Sequence, residues 1–178
     1  MVKKVGVIMV GVSGSGKSTY IAGLEKEFPD EKMVTFSLDK CRLDMWVCAH
    51  FGGEIPDDVY RAAFDYATAN QKMFDEFVST SWEWALKADV VVVDNTNLTR
   101  KSRARWIQDM RKHGFVIVGY EMLTPLQVVL DRQDTRGDKA VPKSVVRDMY
   151  MRQQSLLLGS EVDVLHIVDG VTGNRIMF

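Results

Sequence analysis

The sequence predicts an α/β fold in which a parallel sheet of about five strands is covered by helices on both faces. Three observations predict it. Short apolar runs alternate with longer helix-patterned segments along the chain. The first run leads directly into the glycine-rich stretch GVSGSGKS at residues 11–18. Two acidic residues, Asp39 and Asp94, stand just past the ends of two further runs. Ligands of such sheets bind outside the carboxyl ends of the strands, so these three segments are expected to converge.

Residues 5–10 are continuously apolar and read as a central strand, followed by a helix over 17–27 that stops near Pro29. A second strand is expected at 33–38 and a helix at 40–50, broken by Gly52 and Gly53. Residues 57–87 form a long helical segment, in one piece or two, whose aromatics Tyr60, Phe64, Phe74, Phe77 and Trp84 read as packing residues. The run DVVVVD at 89–94 is the clearest strand. Thr99 can cap a helix that reaches His113 and ends at Gly114. A fourth strand covers 115–122, and Thr124, Pro125 and Gln127 have the spacing of a helix start. Residues 133–140 are polar and loop-like, Pro142 opens a helix to about 158, and 162–168 is the fifth strand. Residues 169–174 read as a turn before a short tail.

The 178 residues suit one domain, taken here as 1–178, with ample length for a core. With 46% hydrophobic and 26% charged residues the composition is that of a globular protein. A net charge of −1 excludes a global basic field, so any nucleic-acid contact needs a local patch. Cys41 and Cys48 lie seven apart on one expected helix, about 10 Å along its axis, too far for a disulfide. A reduced, cytoplasmic setting is expected. No apolar run reaches membrane length, and the opening residues read as a buried strand and not as a signal peptide.

Gly11, Gly16, Lys17 and Ser18 satisfy the phosphate-loop pattern between a strand and a helix. Its glycines let backbone N–H groups turn toward phosphate oxygens, and the following helix adds its positive end. Lys17 would reach the outer phosphates of ATP, and the Ser18 hydroxyl would hold Mg²⁺. The lining extends over Ser13, Gly14, Ser15 and Thr19. Asp94 is placed either to hold Mg²⁺, directly or through water, or simply to cap the Asn95-Thr96-Asn97 turn. Asp134-Thr135-Arg136-Gly137 spells a DxxG box, but it follows the fourth strand and no NKxD motif exists, which argues against a GTPase.

Asp39 can act as general base toward an acceptor hydroxyl, or as cap of the helix that follows it. Arg42, three residues on, either pairs with it or grips an acceptor phosphate. Arg132 and Arg136 flank a polar stretch, about 132–142, that reads as a lid over the triphosphate or as a solvated charged loop. Arg100, Lys101, Arg103, Arg105, Arg111 and Lys112 make one helix basic, either a nucleic-acid track or a solvated face. Trp106 in that helix reads as core, and the three histidines show no ligand spacing.

Together these motifs resemble the kinase domain of phage polynucleotide kinase–phosphatase, a P-loop polynucleotide 5′-hydroxyl kinase, over residues 5–159. The resemblance rests on GVSGSGKST, on DxxR at Asp39-Lys40-Cys41-Arg42, on DNTNL at 94–98, and on RGDKAVP at 136–142 leading into Arg147-Asp148-Met149-Tyr150. DNTNLTRKSRARW at 94–106 also resembles animal polynucleotide kinases. The resemblance implies a P-loop kinase fold and transfer of the ATP γ-phosphate to a 5′-hydroxyl end of DNA or RNA. It implies Asp39 as general base, Arg42 and Thr96 on the acceptor's 3′-phosphate, Arg132 and Arg136 on the donor phosphates, and Val141 against the terminal base. It also implies self-association through the kinase domain. Longer members carry a phosphatase opening with DxDGT; here Ile167-Val168-Asp169-Gly170-Val171 lacks the first Asp and the sequence ends at Phe178, so no phosphatase domain or activity is expected. Two other classes fit the loop: a kinase of a small metabolite such as a nucleoside or nucleotide, which near-neutral charge favours, and a regulatory nucleotide-binding module, which has no need of Asp39.

Overall fold

A computed structural model describes residues 4–28, 31–53 and 56–178. The expected helix stop at Pro29 and the residues before Lys4 lie outside the described residues. The strands are β1 (Val5–Val10), β2 (Met33–Phe36), β3 (Val90–Val93), β4 (Val116–Leu123), β5 (Val164–Asp169) and β6 (Arg175–Met177). The helices are α1 (Lys17–Leu24), α2 (Leu38–Ala49), α3 (Val59–Ala69), α4 (Gln71–Ala85), α5 (Arg100–Lys112), α6 (Leu126–Gln133) and α7 (Lys143–Arg152). The sheet order is β2-β3-β1-β4-β5-β6, parallel except for β6.

The alternating direction of strand side chains explains the continuous apolar runs. Ile8, Val10, Val91, Val93 and Ile117 face a layer containing Trp82, Trp106 and Ile107, contributed by α4 and α5. Val7, Met9, Val90, Val92 and Met122 face Ile21 and Leu24 of α1 on the other side. Both faces of β1 and β3 are therefore dry, and only apolar residues fit. A third cluster of Val12, Leu98, Val129, Leu130 and Val146 ties α6 and α7 to the segment following β1. This cluster fixes the arginine-bearing lid beside the phosphate loop.

Of the one or two pieces expected for 57–87, two helices form, parted at Asn70, whose φ −121° and ψ 47° leave the helical range. Other boundaries differ from the sequence expectation, each for a local reason. Helix α7 ends at Arg152, six residues short of the expected 158. Gln154 donates its N–H to the Leu98 carbonyl at 2.7 Å, and Arg103 captures the carbonyls of Gln154 and Ser155. The expected tail forms a sixth strand. Asp169 accepts from the N–H groups of Val171 and Thr172, and Gly173 adopts φ 77°, so the chain reverses onto β5. The turn read into Asp169-Gly170 is the turn that forms. Cys41 and Cys48 are both free, as their spacing requires.

Arg103 is the clearest departure from its sequence reading. It is neither a solvated charge nor part of a nucleic-acid track: its side chain is fully buried. It forks onto Glu161 at 2.7 and 2.8 Å and donates to the carbonyls of Asn97, Gln154 and Ser155. Arg111 donates to the carbonyls of Ser160 and Glu161. Desolvation pushes the Glu161 carboxyl up, but the hydrogen bonds and charge of Arg103 outweigh it and hold that pKa below the usual carboxylate range. Arg103→Met strands the partly buried carboxylate and three carbonyls, and is expected to cost about 3–5 kcal/mol of stability. Urea unfolding measures this; an unchanged midpoint would show that the pocket relaxes around the loss.

Candidate functional site at the carboxyl ends of the strands

Residues 11–16 link β1 to α1 and take the backbone conformations that the glycines permit. Gly14 (φ 87°) and Gly16 (φ 101°) lie in the left-handed region. A Cβ on Gly14 would come within 2.5 Å of the Gln133 amide. The loop is gripped through three successive carbonyls. Gln133 Nε2 donates to Ser13 at 3.1 Å, Arg132 donates to Gly14 at 3.0 Å, and the Thr124 hydroxyl donates to Ser15 at 2.8 Å. Gly11 donates its N–H to the Thr96 carbonyl at 3.0 Å. Carbonyls held in this way leave the amides of the loop to meet an anion.

Gln133 and Thr124 escaped the sequence reading. Thr124 reads as a helix cap; its hydroxyl instead enters the loop, and α6 starts at Leu126 with no side-chain cap. Gln133 reads as the start of a polar loop, yet it is buried, and its Oε1 also accepts from the Val141 N–H at 3.1 Å. Neither position carries a local signal for this role, because the loop partners Ser13 and Ser15 are more than a hundred residues away. Arg132 differs from its expectation too. Its guanidinium joins Gly14 to the carbonyl of Gly170, at 2.9 Å, so contact with donor phosphates requires releasing one of these bonds.

Lys17 is buried, and its Nζ donates to the carbonyls of Gly11 and Val12 at 2.8 and 3.0 Å. Burial lowers its pKa from 10.5 to about 8; Asp94 and Asp39 pull upward, while Arg136 pushes further down. Ser18, in the first turn of α1, donates to Asp94 Oδ2 at 3.0 Å. Desolvation raises the Asp94 pKa, with Lys17 and the Ser18 hydrogen bond opposing and Asp39 reinforcing the rise. Asp39 is therefore within electrostatic reach of both Lys17 and Asp94. Thr19 follows on α1 and is exposed.

Asp39 does not cap α2. Ser37 is the N-cap, and Asp39 lies in the first turn with its side chain 78% exposed. Arg42 NH1 pairs with it at 2.6 Å, and the Arg42 guanidinium also lies 5.2 Å from the Phe74 ring and 5.3 Å from the Phe64 ring. Asn95 Oδ1 accepts from the Leu38 N–H at 2.9 Å, tying the start of α2 to the end of β3 and so setting Asp39 beside Asp94. Val141 is half-buried against the third apolar cluster, and Thr96 is half-buried.

Three buried polar atoms at this site have no partner among the described residues: Ser15 Oγ, Asn95 Nδ2 and Arg136 Nε. Unpaired buried donors beside a phosphate loop suit an anionic ligand. The Ser18 hydroxyl and Asp94 carboxylate are adjacent hard oxygen donors, which fit a magnesium ion carried with phosphates and waters. Among the described residues no group of three or more His, Cys, Asp or Glu could hold a metal by itself. Among the described residues, too, no helix is long and apolar enough to cross a membrane.

Solved structures share this architecture. A chain of the PezAT chromosomal toxin–antitoxin system of Streptococcus pneumoniae aligns with TM-score 0.66 and 13% identity over 98% of this chain and 71% of its own. A gluconokinase from Sinorhizobium meliloti 1021 aligns with TM-score 0.55 and 16% identity, covering 94% and 83%. A chain of the Pnkp1/Rnl/Hen1 complex aligns with TM-score 0.50 and 19% identity over 74% of this chain and 40% of its own. At these identities the likeness is one of fold. An AAA domain family model matches residues 7–156, most of the chain including the phosphate loop, Asp39, Asp94 and the lid; the protein therefore belongs to this AAA domain family and has a P-loop kinase-like fold.

Proposed function

We propose that the protein is an ATP-dependent kinase that phosphorylates the 5′-hydroxyl end of DNA or RNA. The observation that carries this reading is the Asp39–Arg42 pair. It is open to solvent on α2, outside the phosphate loop, yet within electrostatic reach of Lys17 and Asp94. A carboxylate next to a guanidinium suits an acceptor that presents both a hydroxyl and a phosphate.

On this reading Gly11, Ser13, Gly14, Ser15, Gly16, Lys17, Ser18 and Thr19 line the ATP phosphates. Magnesium held by Ser18 and Asp94 supplies charge neutralisation on the phosphate oxygens. Asp39 accepts the proton of the 5′-hydroxyl as its oxygen bonds to the γ-phosphorus, and the bond from that phosphorus to the ADP oxygen breaks. Lys17 and Arg136 stabilise the charge that develops. Arg42 releases Asp39 to hold the acceptor's 3′-phosphate, with Thr96 beside it, and Val141 supplies an apolar wall for the terminal base. Arg132 braces the loop and turns to the donor when the lid closes. The family resemblance also supports self-association, and the two free cysteines support a reduced, cytoplasmic setting.

A second reading, a kinase of a small metabolite, is favoured by the charge distribution. Net charge is −1, and Arg103 and Arg111 of the basic helix are engaged with their own chain. The two readings part in a direct comparison of ³²P transfer from ATP to a 5′-hydroxyl oligonucleotide and to free nucleosides. Efficient turnover of nucleosides alone would overturn the polynucleotide reading.

Asp39→Asn keeps the shape but removes the base, and is expected to lower kcat by about 10²–10⁴-fold. Single-turnover rates with ATP and oligonucleotide measure this, and an intact rate would remove Asp39 from the base role. Lys17 gives a pH prediction. Its folded pKa of about 8 means that the ammonium loses its proton as pH rises through 8, whereas bound triphosphate pulls that pKa up. ATP binding near pH 8.5 is therefore expected to take up a proton and to weaken as pH rises further. Calorimetry in buffers of different ionisation enthalpy reads the uptake. Lys17→Ala should abolish both the uptake and transfer.

A further inference from the structure

The geometry points to a base-stacking platform on α3, in which Tyr60 and Phe64 receive nucleobases of the acceptor strand next to its 5′ end. This inference rests on the polynucleotide reading and adds a binding surface to it. Tyr60 and Phe64 are four residues apart, so they share one side of α3 with Cβ atoms about 6 Å apart. The helix packs inward through Ala63 and Ala67, both buried, with Tyr60 half-buried at its start. Phe64 is 50% exposed.

The surroundings of the two rings identify the occupant. Phe64 lies 5.3 Å from the guanidinium of Arg42, which in turn holds Asp39 at 2.6 Å. Tyr60 lies 4.3 Å beneath the ammonium of Lys139, in the short 3₁₀ turn Gly137–Lys139 of the lid. The surface therefore runs from lid cation to ring to ring to acceptor arginine. Cations interleaved with one exposed and one half-buried aromatic ring match a single-stranded nucleic acid, whose phosphates and bases alternate in the same way. Two of the flanking acids are engaged within the helix: Asp58 caps α3 through the Arg61 N–H, and Asp65 pairs with Arg61 at 2.9 Å, while Asp57 and Asp138 are exposed.

A stacked base is worth about 1–3 kcal/mol by alanine substitution, so Phe64→Ala should raise the KM for a 5′-hydroxyl octanucleotide by about 5–150-fold. The KM for ATP should hold, and Phe64→Trp, which keeps the aromatic face, should restore the octanucleotide KM. The decisive measurement pairs Phe64→Ala with octanucleotides carrying one abasic residue at the first, second or third position. In the wild type one of these positions should raise KM as much as the mutation does. In Phe64→Ala the same lesion should add nothing, because ring and base then belong to one interaction. Additive losses at all three positions, or an octanucleotide KM within about twofold of wild type, would overturn the platform and leave the polynucleotide reading standing. Wild-type transfer to nucleosides but to no oligonucleotide would overturn both.

Discussion

Three backbone carbonyls in a row, those of Ser13, Gly14 and Ser15, are held by Gln133, Arg132 and Thr124. The rest of the site depends on this grip. A glycine-rich loop has much conformational freedom, and a phosphate cradle requires one shape of it. The segments at either end of α6 supply the constraint, and α6 itself is seated by Val129 and Leu130 in the third apolar cluster. Lys17 then finds the carbonyls of Gly11 and Val12 within reach, and burial there depresses its pKa. The placement and lowered pKa of Lys17 are thus a product of packing on the far side of the loop.

A second set of ties sets the acceptor side. Asn95 reaches from the end of β3 to the Leu38 N–H, and Asn97, in a left-handed conformation, donates to the carbonyls of Met9 and Val93. Arg103 donates to the Asn97 carbonyl and secures the opposite end of the turn. The DNTNL stretch therefore holds β1, β3 and the start of α2 in one frame, with Asp94 at its head. The distance between donor and acceptor groups is set by backbone bonds and not by the flexible side chains that carry the charge.

Gln133 connects the two sides. One amide donates to the phosphate loop and accepts from Val141, at the exit of the lid. Lid and loop thus share a buried hydrogen-bonding group, and displacing either leaves polar atoms unsatisfied. The engagement of Arg132 with Gly14 and Gly170 adds to this link, while the Nε of Arg136 has no partner among the described residues.

The sequence by itself determined the layered α/β class, the phosphate loop and the acidic strand ends. Each is a short-range pattern: a strand buried on both faces must be apolar throughout, and a tight anion cradle must be glycine-rich. It also marked Asp39 and Arg42, which are three apart on one helix. Only the tertiary structure decided that Arg103 is interior, that Ser37 and not Asp39 caps α2, and that Thr124 and Gln133 serve the loop. It also turned the tail into β6 and left Phe64 exposed beside Arg42. These outcomes depend on partners distant in the chain, such as Glu161 for Arg103 or Ser13 for Gln133. An isolated arginine or glutamine looks the same in sequence whether its partner is water or a buried carbonyl, and only the packed fold removes the water.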